Sequence, residues 1–93
     1  MHQLTQQYWS RAQKIAQQYQ QQEINFADLT GLADTFAATF ANDTQSLARS
    51  EQTSIYQTLE STLTQAIQEL DDDSAVAQAL NELLIALTRT PIY

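Results

Sequence analysis

His2, the run Asp71-Asp72-Asp73, and the set Tyr8, Trp9, Arg11, Lys14 and Tyr19 are the residues whose types and spacing could do chemistry. His2 is the single histidine. Isolated at a frayed N-terminus, it offers no Ser-His-Asp triad, no two-histidine zinc helix and no pair of Glu-x-x-His motifs for a di-iron bundle. The three aspartates are hard-cation ligands by type. Counted from Asp71, a calcium loop of the EF-hand kind needs Gly at its sixth position and Glu at its twelfth. Val76 and Glu82 stand there, and Val76 belongs to a helical apolar pattern. The single glycine, Gly31, leaves no phosphate-cradling loop, and the lack of Cys leaves no thiolate metal site or disulfide framework. No catalytic, metal-binding or cofactor-binding residue is expected, and the chain reads as a non-enzyme.

Aromatic residues interleaved with bases mark nucleic-acid binding when they lie along a positive groove. Tyr8, Trp9, Arg11, Lys14 and Tyr19 fit the spacing of a core stripe better. Arg11, Lys14, Arg49 and Arg89 face 11 acidic residues, for a net charge of −7. That field opposes phosphate backbones and anionic bilayers, so neither direct nucleic-acid binding nor membrane binding is expected. Glu60, Glu69, Asp71, Asp72, Asp73 and Glu82 crowd the second half. Glu69, Asp71, Asp72 and Asp73 are a candidate acidic patch. A solvated surface explains such a patch without a ligand. Its functional alternative is an acidic nucleic-acid mimic that blocks a basic nucleic-acid-binding protein.

The elements that must carry these residues are helices. One Gly and one Pro in 93 residues leave almost nothing to break a helix, and apolar residues recur at helical spacing throughout. The pattern predicts an all-α, single-domain antiparallel bundle of four helices, over about 3–22, 26–49, 51–70 and 74–88, or of three with one long kinked helix. Leu4, Tyr8, Ala12, Ile15 and Tyr19 form the first stripe, widened by Trp9 and Ala16, with Gln6, Gln13, Gln17 and Gln20 opposite. Asn25 is placed to cap the second helix, with Asp28 in its first turn. Gly31 within that helix marks a close approach by another helix. Breaks are available at Asn42-Asp43-Thr44 and at Ser50 to Ser54, and the reading stops the second helix near Arg49. Without either break, residues 26–70 would form one helix of roughly 67 Å and require a dimer. Asp71-Asp72-Asp73 is the next turn, with Asp73 or Ser74 as cap.

The fourth helix is apolar around nearly its whole circumference, which predicts burial on more than one side. That surplus, together with Ile92 and Tyr93, makes Val76, Leu80, Leu83, Leu84, Ile85, Leu87, Ile92 and Tyr93 the candidate interface. The expected function is a small acidic non-catalytic protein-protein interaction module, an adaptor, accessory subunit or inhibitor, whose partner is another protein or itself. A homodimer is the simplest form. The alternation of polar and apolar residues over Met1 to Gln22 predicts no signal peptide, and Leu83 to Leu87 is too short to span a bilayer, so a cytoplasmic protein is expected.

Overall fold

Each helix begins or ends where local hydrogen bonding makes it. The computed structural model describes residues 3–71 and 73–89, and among them the elements are α1 (Gln3–Gln20), α2 (Phe26–Thr44), α3 (Arg49–Gln68) and α4 (Ala75–Arg89). The expected all-α four-helix bundle is therefore the fold. At the end of α1 the Glu23 N–H reaches the Gln18 carbonyl (2.9 Å) and the Gln22 N–H reaches that of Tyr19 (3.1 Å), the paired bonds of a Schellman turn. Gln22 takes the left-handed position, at φ 64°. Asn25 then caps α2 reciprocally. Its side chain accepts from the Asp28 N–H (2.8 Å), and the Asp28 carboxylate accepts from the Asn25 N–H (3.3 Å).

α2 stops at Thr44, not near Arg49. Asn42, Asp43 and Thr44 are weak helix formers whose side chains compete for backbone and side-chain partners. The Tyr8 hydroxyl donates to the Asp43 carboxylate, the Thr44 hydroxyl donates to the Ala41 carbonyl (3.0 Å), and the Gln52 amide donates to Thr44 Oγ1 (3.1 Å). The Leu47 N–H closes the turn on the Thr44 carbonyl (3.1 Å). α3 consequently starts at Arg49, two residues earlier than expected, with Ala48 at its N-cap and no side-chain cap. At α4 the Ser74 hydroxyl faces the Ala77 N–H at 3.5 Å, a long capping contact.

The chain runs up, down, up, down, but its helices do not pack in sequence order around a square. α1 and α4 form the short diagonal of a rhombus, each touching the other three helices, while α2 and α3 scarcely meet. The longest dimension of the bundle is 38 Å, which excludes a continuous 26–70 helix. The core runs between these faces, from Ala12, Leu29 and Ala33 to Leu59, Leu63, Leu83 and Leu87. An aromatic stack closes one end: Tyr8 meets Phe36 and Phe40 edge-on at 5.4 and 4.7 Å, and Phe40 meets Tyr56 at 4.7 Å.

Gly31 does not mark a close approach within the chain. It is exposed on the outer side of α2, and a Cβ there would meet nothing within 4 Å. Among the described residues no helix is long and apolar enough to cross a membrane.

Candidate functional site

The rhombic arrangement decides what remains open. Because α4 lies against all three other helices, most of its apolar circumference is used inside the bundle. Leu80, Leu83 and Leu87 are 2 %, 0 % and 1 % exposed, so these members of the expected interface are core residues, of which Leu80 reaches the floor of a surface groove. Val76, Leu84 and Ile85 are half-buried, with Val76 and Leu84 packed against the core. Ile92 and Tyr93 lie outside the described residues, as do His2 and Asp72.

The open apolar surface belongs instead to a groove between α1, α3 and the start of α4. Half-buried Trp9 stands on its α1 wall, Ala16, Ala66, Leu70, Val76 and Leu80 supply apolar lining, and its volume is about 410 Å³. Gln13, Gln17 and Gln20 line it on α1, and Glu69 on α3. A larger hollow, of about 670 Å³, is lined entirely by polar residues of α3, from Gln57 to Gln68, and is a trough along one helix. The Trp9 groove is the one that combines three elements with an apolar floor.

The signal for this groove was present in the sequence but divided. Trp9, Gln13, Ala16 and Gln20 follow one another at four, three and four residues, so they share a side of α1. Their mixed polarity splits them between a core stripe and a solvent face when only apolar residues are tracked.

The acidic patch is at the other functional extreme. Glu69, Asp71 and Asp73 are all exposed, and Asp73 shares a pocket of about 570 Å³ with Glu23 and Asp28 from the α1–α2 turn. Tyr19 and Phe26 line the same pocket, and none of the described residues lining it is basic. The described residues contain no group of three or more His, Asp or Glu placed to hold a metal ion.

Buried polar groups gather where α2 gives way to α3. Burial, then the hydrogen bond to Asp43 and its charge, push the Tyr8 phenol well above its ordinary 10.0, against the pull of Arg11, whose guanidinium lies 4.8 Å from the ring centroid. Tyr8 therefore stays protonated and donates to Asp43 across the neutral range. Its ring is sealed in the core and unavailable for stacking on a base. Burial and the nearby Glu60 charge raise the Tyr56 phenol as well. The Tyr56 hydroxyl and Thr5 Oγ1 are enclosed without a hydrogen-bond partner among the described residues. These groups lock the corner of the bundle.

The chain matches no protein-family model, no curated protein and no solved structure. Its function must be read from its own surfaces.

Proposed function

We propose that this chain is a small non-catalytic protein-protein interaction module that self-associates through the α1 face bearing Trp9. The observation that carries the reading is the groove itself, with an aromatic side chain at an apolar floor and a rim of neutral glutamines. Half-exposed tryptophans in such settings are favoured anchors of association. Charge supports the same face. The α1 side of the groove, Trp9, Gln13, Ala16, Gln17 and Gln20, carries no charge and Glu69 is the one carboxylate lining it, so two copies of a chain with net charge −7 would meet there with little repulsion. A two-fold pairing of α1 faces brings the least repulsive parts of the molecule together.

Light scattering on a size-exclusion column across a concentration series tests this, with the emission of Trp9, the single tryptophan, as an internal reporter. Dimer formation accompanied by a blue shift of that emission is expected, and Trp9→Ala should remove both. A monomer at every concentration would overturn the self-associating form.

A second reading rests on the gathering of Glu23, Asp28 and Asp73 around one pocket, with Glu69 and Asp71 exposed beside the α3–α4 turn. In this reading the acidic end mimics nucleic acid and occupies a basic nucleic-acid-binding protein. Neutralising Glu69, Asp71, Asp72 and Asp73 together should then abolish salt-sensitive binding to such a protein. Unchanged binding would reject it.

A further inference from the structure

The outer face of α2 carries a feature that the fold does not require. Glycine in an exposed helix interior lowers helix stability relative to alanine, and here neither internal packing nor left-handed backbone demands it. Gly31 opens a bare stretch of backbone at the centre of a solvent-facing side formed with Ala27, Asp34, Thr35 and Ala38, all exposed. Ile24 and Leu32 flank that side, and with Ala27, Gly31 and Thr35 they line a groove of about 490 Å³. The groove shares Ile24 and Asp28 with the neighbouring pocket, where Phe26 is the one large apolar side chain among the described residues to stand out into solvent, 54 % exposed.

We propose that this face of α2 receives a basic amphipathic helix from another protein, packed across Gly31. Small residues allow two helix axes to approach to about 8 Å, the close end of the usual range. The apolar stripe of the incoming helix would lie on Ala27, Gly31 and Leu32. Its flanking Lys or Arg residues would meet Asp28 and Asp34, since α2 contains three aspartates and no base. The charge also selects against a second copy of this chain. Two α2 faces would oppose like charges, and α1, the one cationic helix of this chain, has its apolar stripe buried in the core. The proposal is independent of the Trp9 groove, and of the carboxylates around the acidic pocket it uses Asp28 alone.

The test uses the whole protein and a fluorescent synthetic peptide of about 20 residues, long enough to form a helix, with one stripe of Leu and Ala between rows of Lys. A scrambled peptide of the same composition keeps the charge and loses the stripe. Binding is followed by anisotropy. The expected result is that Gly31→Leu, which covers the bare backbone, and Asp34→Lys each weaken binding about tenfold or more, that the scrambled peptide binds about tenfold more weakly than the striped one, and that Trp9→Ala changes binding by less than about twofold. Leu and Lys are better helix formers than the residues they replace, so both variants keep the helix, which circular dichroism checks. Equal binding of the two peptides, or wild-type binding by Gly31→Leu, would overturn the proposal. So would a Gly31→Leu variant whose only change is in sedimentation of the chain by itself, which would assign the face to a second copy.

Discussion

α4 and α1 exchange the roles that their compositions suggest. α4 is apolar almost all round and buries most of that surface, whereas α1, with its run of glutamines, supplies the aromatic wall of the apolar groove that Val76 and Leu80 of α4 help to line. The difference lies in neighbours. In a square bundle packed in sequence order, α4 would touch two helices and leave an apolar side to solvent. On the short diagonal of a rhombus it meets three, and its circumference is used internally. α1 also lies on that diagonal, but its contact with α3 leaves Trp9 half-buried at the edge of a hollow. Apolar content therefore measures how many neighbours a helix needs, and the place where packing is incomplete marks the surface that remains for a partner.

The largest effect that could break this contrast comes from Leu83, which is fully buried on α4. Leu83→Ala should cost about 3 to 5 kcal/mol in urea unfolding, because the site is enclosed and cannot collapse around the missing atoms. A loss below about 1 kcal/mol would mean that α4 retains an open side after all. Trp9→Ala is the matching change on α1. Its side chain is partly exposed, so about 2 kcal/mol is expected, less than the loss for a sealed aromatic. Self-association should vanish with Trp9 and persist, per folded molecule, with Leu83→Ala.

Helix identity was legible from residue spacing, and the Asn25/Asp28 cap was legible from local chemistry alone. The end of α2 was not. Asn42-Asp43-Thr44 and Ser50 to Ser54 have similar intrinsic weakness as helix formers, and what separates them is tertiary: Tyr8 from α1 bonds Asp43, and Gln52 from α3 bonds Thr44. The burial of Leu80, Leu83 and Leu87 was not legible for the same reason. Leu80, Leu83 and Leu87 are alike in sequence whether they face a partner or a third neighbouring helix, and the order of helices around the bundle decides between these. Exposure of Glu69, Asp71 and Asp73 was readable from a charged turn, but the placement of Asp73 beside Glu23 and Asp28 required the up-down topology.

Tyr8 and Tyr56 sharpen the comparison on the inner side of α1. Both are buried, yet Tyr8 donates to Asp43 while the Tyr56 hydroxyl, near Thr44, makes no hydrogen bond of normal geometry among the described residues. Tyr8→Phe should cost about 1.5 kcal/mol, the range for a hydrogen bond to a charged group, while Tyr56→Phe should be neutral or stabilising because it removes an unsatisfied buried oxygen. The alkaline limb provides a second reading of the same contrast. The folded-state phenol of Tyr8 is raised above its unfolded value, so its contribution is fully present below about pH 10 and is lost as pH rises toward the folded-state value. Urea midpoints followed from about pH 8 to 11 should therefore fall more steeply for wild type than for Tyr8→Phe. Parallel curves would show that Tyr8 ionises as freely in the folded protein as in the unfolded chain.

The smallest expected effect concerns where α1 ends. Gln22 holds the left-handed position of the Schellman turn, where a side chain crowds its own backbone and glycine is the usual occupant. Gln22→Gly should stabilise the bundle by about 0.5 to 1 kcal/mol, relief of the left-handed strain exceeding the added freedom of the unfolded chain. A domain of this size would show the gain as a rise in Tm of a few degrees, at about 4 to 8 °C per kcal/mol. The turn keeps its two backbone bonds in either case, so a fall in Tm would mean that the Gln22 side chain contributes more than the strain it carries. Gly31→Ala should give a gain of similar size, since its added Cβ meets no atom. The chain thus places its single glycine where folding would prefer alanine and a glutamine where folding would prefer glycine. Raising stability at Gln22 should leave binding of the basic helix intact, whereas covering Gly31 with leucine should stabilise the fold and weaken that binding, a separation that packing within one chain cannot produce.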